Sequence, residues 1–386
     1  MSDLLWPGDH RCGELFSDAA VLAALVGVES AWLRALVRHG IAPAEAGADL
    51  AGRAGPEDLD RLAAAAESGG NPVIPLVALL RERAGTPAAD WVHKGLTSQD
   101  VLDTALAMCL RDAVARLRAD IVVQVRALAR LAGEHRGTPM AGRTLTQHAV
   151  PVTFGVKAAG WLDDVLDAYD RLDVPPAARF GGAAGTLAGP AALAGSARGA
   201  LALAAAAADE LGLDHRPRPV TAIGDGLVAC TDAWGRIAND VLLASRPEIG
   251  ELSEEHGGGS STMPQKRNPV LSVLIRRAAL AAPPLGATLH AAAAARVDER
   301  PDGAWHVEWA TLRTLARRAV TAGAQAADLL AGLRVHPDRM AATLAAARPG
   351  IDAEQRGFTG DADGPYRGAT DAIIDAALQR AAGVLE

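Results

Sequence analysis

The chain has 386 residues, of which 49% are hydrophobic and 22% charged, and its 38 Lys and Arg against 46 Asp and Glu give a formal net charge of −8. This composition excludes global disorder, and an acidic chain without a basic block argues against a nucleic-acid-binding role. The three cysteines form no CxxC pair, which disfavours a disulfide framework or a zinc cluster and fits a reducing cytoplasm. We find neither a secretory signal nor about 20 consecutive uncharged apolar residues, so we expect no export and no membrane span.

The predicted elements begin with small helices, separated by Gly and Pro turns, over residues 1–90. The dominant pattern follows: from Val101 to Leu131 an apolar residue recurs every three or four positions, with no Pro or Gly. It predicts one helix about 48 Å long. Thr97-Ser98-Gln99-Asp100 before it predicts a capping box, and Gly and Pro residues after it predict its end. A rod of this length needs long partners, so we expect a helical bundle over residues 91–332.

Further helices are predicted at Pro151 to Asp170, Ala222 to Ser245, Asn268 to Ala295 with a kink at Pro283-Pro284, Ala304 to Leu333, and Ala369 to Ala382. We find no convincing set of alternating strands and no βαβ rhythm. Residues 333–386 are rich in Gly, Asp and Arg, and we expect them to form a short C-terminal segment with a single final helix. The expected fold class is therefore all-α.

Three polar stretches with glycine hinges are the candidate chemical sites. The first, Val92–Asp100, lies at the start of the long helix, where free N–H groups and the helix dipole bind anions. Thr97 and Ser98 add hydroxyl donors there, and Lys94 adds positive charge. Simple helix capping, with His93 as a packed histidine, is the alternative for this stretch.

The second stretch, Gly142–Pro151, is dense in hydrogen-bond donors directly before a predicted helix with Pro at its start. It contains His148, which can serve as an acid or a base near neutral pH. A loop held by its own hydrogen bonds is the alternative, and the residues of this stretch alone do not decide between the two.

The third stretch, Gly257–Pro269, reads Gly-Gly-Gly-Ser-Ser-Thr-Met-Pro-Gln-Lys-Arg-Asn-Pro. Its three glycines predict a flexible lid, and paired serines, Lys266 and Asn268 follow them. A serine hydroxyl is a poor base unless its alkoxide is stabilised, and successive backbone N–H groups with a nearby ammonium supply that stabilisation. A purely structural loop rarely needs this whole set, so the sequence favours a catalytic role.

Together, the three stretches resemble the fumarase/aspartase superfamily, and residues 259–269 look like its signature loop. The resemblance covers roughly residues 1–335. It implies a homotetramer whose core is formed by the central long helices, with active sites shared between subunits and each of three subunits contributing one stretch. It also implies a small polycarboxylate substrate and neither a metal nor an organic cofactor.

Within the superfamily the chain is most similar to the bacterial 3-carboxy-cis,cis-muconate cycloisomerases, above all in Glu299–Trp309. This similarity implies lactonisation of an unsaturated polycarboxylate through an aci-carboxylate intermediate. A C–N or C–O lyase that releases fumarate or a related acid is one alternative, and a catalytically silent homologue is another. Leu145 stands where fumarases and argininosuccinate lyases carry a catalytic His, which argues against those two activities. By the same comparison, we expect residues 333–386 to form a shorter C-terminal segment than that of a typical cycloisomerase.

The resemblance also assigns roles to residues. Donors aimed at the dianionic aci-carboxylate that develops in the reaction should supply most of the catalysis. Ser260 matches the acid–base residue of the mobile loop, and His148 and Lys266 complete the catalytic set. Arg143 and Arg300 have a guanidinium geometry that suits a carboxylate, with a salt bridge between subunits as the alternative. The expected substrate-binding residues are His93, Lys94, Thr97, Ser98, Arg143, Gln147, Ser261, Met263, Asn268 and Arg300.

Overall fold

The computed structural model describes residues 3–215, 219–255, 257–259, 262–361 and 366–386. These residues are mainly helical, which confirms the all-α prediction. The helices are Asp18–Arg38 (α1), Leu59–Gly69 (α2), Val73–Ala84 (α3), Ser98–Glu134 (α4), Phe154–Arg171 (α5), Ala188–Ala194 (α6), Ala197–Glu210 (α7), Val220–Ala244 (α8), Val270–Ala294 (α9), Gly303–Ala331 (α10), Pro337–Thr359 (α11) and Thr370–Leu385 (α12). The short strands are Pro139–Thr144 (β1), Gln147–Thr153 (β2), Leu252–Glu254 (β3) and Leu333–Val335 (β4), paired antiparallel as β1 with β2 and β3 with β4.

The predicted long helix is confirmed as α4, which has 37 residues and extends beyond the predicted span at both ends. Its apolar stripe is buried along the whole length, from Leu102 through Leu117 to Leu128. At its start the Thr97 N–H donates to the Asp100 carboxylate at 3.1 Å, which is one half of the predicted capping box. Packing of this apolar face is the main source of stability for such a helix.

Residues 139–153 form a β-hairpin that is absent from the sequence prediction. The expectation of a helix starting at Pro151 is wrong, because Pro151 lies on β2 opposite Ala141 and α5 begins only at Phe154. The Thr153 hydroxyl caps that helix by accepting the Val156 N–H at 3.2 Å. The strands lack a clear apolar alternation, and their turn lacks Gly, so the sequence carries no hairpin signal.

The later helices agree with the prediction to within a few residues, as α8, α9, α10 and α12. The helix α9 is assigned without a break through Pro283 and Pro284, where the sequence predicts a kink. The expectation of a single helix after residue 333 is wrong, because α11 continues through Pro349 and Gly350. The helix α11 packs on the hairpin, and this packing outweighs the local tendency of Pro and Gly to end a helix.

By its internal contacts the chain divides into two compact units, each discontinuous in sequence. Unit 1 comprises Met1–Ala115, Val174–Asp225 and Pro284–Arg317, and unit 2 comprises Arg116–Asp173, Gly226–Pro283 and Arg318–Glu386. The division of the chain into residues 1–90, 91–332 and 333–386 stays a prediction about its organisation along the sequence.

Each unit has its own packed interior. In unit 1, α1 packs against α7 around the fully buried side chains of Trp32, Leu36 and Leu203. In unit 2, α12 packs against α5, and Leu344 and Ile351 of α11 contact the hairpin. These contacts bring chain segments that are distant in sequence next to the polar stretches described below.

Two helices within the described residues, α1 and α9, are long and apolar enough to cross a membrane by length and composition alone. Both contain charged residues, such as Glu29 in α1 and Arg276 in α9, so neither is the uncharged stretch that the sequence analysis sought. The most apolar window of α1 is 67% buried, whereas that of α9 is only 28% buried. The helix α9 therefore presents apolar surface that the single chain does not cover.

Candidate active site

The start of α4, in unit 1, is organised by the Asp100 side chain. This carboxylate has no exposed surface, and it accepts the backbone N–H groups of Thr97, Gly181 and Gly182 at 3.1, 2.9 and 2.8 Å. Arg300 Nη2 lies 2.8 Å from Asp100 Oδ1. Burial raises the pKa of the Asp100 carboxyl, and Arg300 and the three N–H groups oppose that shift. The start of α4, with Thr97 and Ser98, is therefore fixed in position by contacts of Asp100 within the same chain.

Arg300 is engaged by structural contacts on both sides of its guanidinium. Besides its ion pair with Asp100, it donates from Nε to the Gly182 carbonyl at 3.1 Å, and Nη2 donates to the same oxygen. The salt bridge considered as an alternative for this residue is therefore present, but it lies within one chain. A role for Arg300 in substrate binding stays a prediction.

His93 and Lys94 are anchored in the loop before α4. His93 has a positive φ of 63°, which is uncommon for a residue other than Gly. Its Nδ1 lies 2.6 Å from Oε1 of Glu29 on α1, a carboxylate with no exposed surface. Lys94 Nζ lies 4.1 Å from the centre of the Trp91 ring, which is a cation–π geometry. The Lys94 carbonyl accepts the Trp32 indole N–H at 2.8 Å.

Arg143 lies on β1 of the hairpin in unit 2 and forms a bidentate ion pair. Its Nη1 and Nη2 donate to Oε2 and Oε1 of Glu251 at 2.9 and 2.8 Å. The Glu251 carboxylate is fully buried, so this pair is a strong charge-assisted contact. Like Arg300, Arg143 has its salt bridge inside the chain.

The turn of the same hairpin exposes four consecutive residues, 145–148. Leu145 and Thr146 both have positive φ, 48° and 70°, as a two-residue hairpin turn requires. The Leu145 side chain is 96% exposed, and Gln147 and His148 are exposed next to it. The candidate catalytic His148 is therefore presented at the surface of its unit rather than in its interior.

The third stretch, in unit 2, has a closed base. Gly258 and Asn268 exchange two backbone hydrogen bonds of 2.8 Å, and Asn268 Nδ2 donates to the Gly259 carbonyl at 3.1 Å. A Cβ at position 258 would collide with Val270, so Gly at this position permits the close approach. These bonds fix where the loop leaves and rejoins the chain.

Met263 and Lys266 in this loop are exposed. The predicted acid–base residue Ser260 and its neighbour Ser261 lie outside the described residues. Glu254 lies just before the loop and accepts the N–H groups of Leu271 and Ser272 at the start of α9, just after the loop. A protein carboxylate therefore already occupies that helix N-terminus. The N-terminus of α9 is therefore not the anion site of this stretch.

The predicted residues fall into two groups that the structure places in different units. Unit 1 contains His93, Lys94, Thr97, Ser98 and Arg300, and unit 2 contains Arg143, Gln147, His148, Met263, Lys266 and Asn268. Sequence reasoning missed Glu29, Glu251 and the wider role of Asp100. The available signal for Glu29 was a carboxylate inside an otherwise apolar helix. Among the described residues, no three His, Cys, Asp or Glu side chains are grouped so that they could hold a metal ion.

The chain has the sequence and fold of a known class of lyases. A family model described as lyase matches residues 71–282, more than half of the chain. Nitrosuccinate lyase of Streptomyces davaonensis is 47% identical over 348 residues, which cover 85% of this chain and 73% of that protein. The 3-carboxy-cis,cis-muconate cycloisomerase of Pseudomonas aeruginosa is 42% identical over 351 residues, which cover 86% of this chain and 74% of that protein.

The fold leads to the same class. The crystal structure of the 3-carboxy-cis,cis-muconate lactonizing enzyme from Pseudomonas putida superposes with a TM-score of 0.83 at 31% identity and covers 97% of each chain. The chain belongs to the fumarase/aspartase superfamily, as its three polar stretches predict. It is an enzyme of the lyase and cycloisomerase type.

Proposed function

We propose that this enzyme catalyses β-elimination from a substituted succinate. A base removes the proton next to one carboxylate, and the group on the neighbouring carbon leaves. With a nitrosuccinate the C–H and C–N bonds break, the C=C bond of fumarate forms, and nitrite leaves with the electron pair of the C–N bond. The 47% identity to nitrosuccinate lyase supports this substrate class.

The observation that carries the proposal is the pairing of both candidate carboxylate-binding arginines. Arg143 is held by Glu251 and Arg300 by Asp100, and both carboxylates are fully buried. Freeing either guanidinium would leave a buried charge without its partner, which is costly. Binding of the substrate then falls to hydroxyl, amide and ammonium groups, and a dicarboxylate needs fewer cationic contacts than a tricarboxylate.

The catalytic roles follow from the charge that develops in the reaction. Removal of the proton creates a dianionic aci-carboxylate, and preorganised donors stabilise it best where water is excluded. We assign this stabilisation to Thr97, Ser98, Gln147, Lys266 and Asn268. Ser260 is the proposed base, His148 the proposed acid or substrate-orienting group, and closure of the 257–269 loop the step that excludes water.

Lactonisation of a carboxymuconate is the second candidate function. It is favoured by the 42% identity to the Pseudomonas aeruginosa cycloisomerase and by the TM-score of 0.83 to the Pseudomonas putida enzyme. In that reaction a carboxylate of the substrate attacks the double bond and Ser260 delivers a proton to the α-carbon. The same aci-carboxylate intermediate links the two candidates, so the substrate alone separates them.

Two assays on the purified protein distinguish the candidates. Nitrosuccinate should give equal amounts of fumarate, followed by ultraviolet absorbance, and nitrite, followed by a colorimetric assay. 3-Carboxy-cis,cis-muconate would instead lose its diene absorbance without forming fumarate. Turnover of the muconate alone would replace the first candidate by the second, and turnover of neither compound would refute both.

The assignment of Ser260 is tested by Ser260→Ala. We expect turnover to fall by at least about 10²-fold, the usual scale for an acid–base group, without loss of the fold. Ser245→Ala is the matched control, because within the described part of the chain the Ser245 hydroxyl donates only to the Leu242 carbonyl at the end of α8. A Ser260→Ala enzyme as active as this control would refute the assignment.

We further propose that the protein is a cytoplasmic homotetramer whose active sites are shared between subunits. Two features of the single chain support additional copies as its partners. The hairpin tip exposes 96% of Leu145, and only 28% of the most apolar window of α9 is buried. Exposed apolar surface of this kind is typical of a subunit interface. Light scattering should give a mass four times that of one chain, and a monomeric mass would refute the proposal.

Subunit mixing tests the shared site. His148→Asn and Ser260→Ala variants should each be inactive, because each removes a proposed catalytic group. Reassembly of the two variants should restore part of the activity, since some sites then combine an intact His148 with an intact Ser260. No recovery after subunit exchange has been verified by mass would argue against sites shared between subunits.

A further inference from the structure

The buried pair of Glu29 and His93 is the feature of unit 1 that the proposed mechanism leaves unexplained. Glu29 Oε1 lies 2.6 Å from His93 Nδ1, and the side chains are 0% and 17% exposed. The other carboxylate oxygen, Oε2, is buried and has no hydrogen-bond partner among the described residues. A fully buried carboxylate with one unpaired oxygen costs stability. Between α1 and the loop, this pair therefore stabilises the fold less than apolar side chains of the same size would.

The backbone around His93 is held on both sides of the residue. Arg81 of α3 donates to the Val92 carbonyl at 3.0 Å, and Trp32 donates to the Lys94 carbonyl at 2.8 Å. Glu29 and Trp32 are three residues apart on α1, so one face of this helix contacts both the His93 ring and the Lys94 carbonyl. The positive φ of His93 persists because these contacts over-determine it, which is typical of a residue in a functional site.

The contact with Glu29 engages Nδ1 of the His93 ring. With an ionised Glu29, which can only accept hydrogen bonds, Nδ1 is the donor. His93 Nε2 is then the nitrogen left for a ligand, since no hydrogen bond joins it to another described residue. The exposed His148 has no such carboxylate partner among the described residues. Of these two histidines, only His93 is preorganised by the protein.

We propose that Glu29 is a positioning residue of the active site, which acts through His93. It accepts the hydrogen bond from Nδ1–H and holds the ring in one orientation, so that Nε2–H of the doubly protonated imidazole donates to a carboxylate of the substrate beside Thr97 and Ser98. This role rests on the proposed function. A carboxylate at Nδ1 is a general device for orienting a histidine.

A double-mutant cycle tests the proposal with the full-length enzyme. Glu29→Gln keeps the size of the side chain but removes its charge, and we expect kcat/KM to fall at least about 10-fold. His93→Gln should cause a similar or larger loss. In the His93→Gln background, adding Glu29→Gln should change kcat/KM less than about 2-fold, because Glu29 then has no imidazole to orient. Independent, additive losses would overturn the proposal.

A matched control separates positioning from general destabilisation. Asp58 is also a buried carboxylate of unit 1, and it forms a bidentate pair with Arg83 at 2.7 Å. Asp58→Asn should lower the melting temperature and leave kcat and KM unchanged. If Asp58→Asn lowers kcat/KM as much as Glu29→Gln at equal loss of melting temperature, the Glu29 effect is structural and the proposal fails.

A spectroscopic measurement keeps the test independent of the substrate. In solid-state spectra of protein labelled with ¹⁵N-histidine, the His93 signals are those missing from His93→Gln. They should show a protonated Nδ1 in the wild type and a changed proton distribution in Glu29→Gln. Identical His93 signals in both proteins would overturn the proposal, even if lyase activity is found. Absence of turnover with both substrates would refute the proposed function and leave this spectroscopic test valid.

Discussion

The Asp100 carboxylate and the Arg300 guanidinium form an ion pair of 2.8 Å although the two residues are 200 positions apart. The same carboxylate accepts the N–H groups of Gly181 and Gly182 and of Thr97 at the start of α4. Three separate segments of unit 1 therefore meet at one fully buried side chain. The position of the proposed carboxylate-binding hydroxyls depends on it.

Asp100→Ala should destabilise the protein by about 3 to 5 kcal/mol, because it leaves Arg300 and the backbone donors without their acceptor. Urea unfolding followed by circular dichroism measures this change. Asp112→Ala is the control, since Asp112 lies on the same helix, half-exposed beside Arg111, and exposed pairs contribute little. Equal effects of the two substitutions would contradict the central role of Asp100.

A second prediction concerns the Arg143–Glu251 pair. Glu251→Leu alone should destabilise the protein by about 3 to 5 kcal/mol, because Arg143 loses its buried partner. Adding Arg143→Met should recover part of that loss, since the unpaired charge is then removed as well. Thermal unfolding of both single variants and the double variant measures the coupling. Additive losses would contradict a dominant contact between these two side chains.

A third prediction concerns a buried polar link in unit 2. Gln124 accepts the Trp234 indole N–H at 2.7 Å and donates to the Gly323 carbonyl at 2.8 Å. Gln124→Leu leaves the Trp234 indole N–H buried without its acceptor and removes a second hydrogen bond to the Gly323 carbonyl, which α10 pairs internally. This should cost about 1 to 3 kcal/mol in the free energy of unfolding. The exposed Gln379 of α12 is the control, and Gln379→Leu should change stability much less. A loss no greater than that control would contradict the importance of this link.

Sequence periodicity predicts the long helices well, because one apolar stripe dictates each of them. For α4 the stripe from Leu102 to Leu128 is buried as expected. The sequence does not predict the hairpin or α11, because tertiary contacts determine their conformation. The turn uses Leu145 at positive φ without Gly, and α11 continues past Pro349 while it packs on β1.

The candidate site is predictable only in part. Its polar stretches are contiguous in sequence, so resemblance and spacing are enough to name His93, Thr97 and Lys266 as candidates. Their supporting partners are distant in sequence, as Glu29 is from His93. No local pattern reveals such a pairing, because a buried carboxylate finds its partner only in the folded unit. For the same reason, the sequence does not show that Arg143 pairs with Glu251 and Arg300 with Asp100.

A fourth prediction concerns the cysteines, which are all buried. Burial raises the pKa values of the Cys109 and Cys230 thiols to about 12. The thiolate is the reactive form, and at pH 8 only about one in 10⁴ of these thiols is ionised, so their reaction is slow. A thiol reagent should therefore label almost no cysteine in the native protein and all three after unfolding. Gln379→Cys, which adds an exposed thiol, is the positive control, and rapid labelling of the unmodified native protein would contradict the prediction.

The fifth prediction concerns pH. Burial lowers the pKa of His135 below its ordinary value, and Nδ1 lies 3.0 Å from the Thr138 hydroxyl while the ring meets Phe154 edge-on. The unfolded chain takes up a proton on this histidine near pH about 6.5, before the folded chain does, so folding is opposed as the pH falls below that value.

His135→Gln removes this titration. The stability difference between wild type and variant should therefore be constant above pH 7 and should shift against the wild type between pH 6.5 and 5. Urea unfolding of both proteins at several pH values measures the difference. Thr138→Val serves as the control, because it removes the hydroxyl partner but keeps the imidazole, and its stability should retain the wild-type dependence on pH. A difference between wild type and His135→Gln that stays constant down to pH 5 would contradict burial of the neutral imidazole.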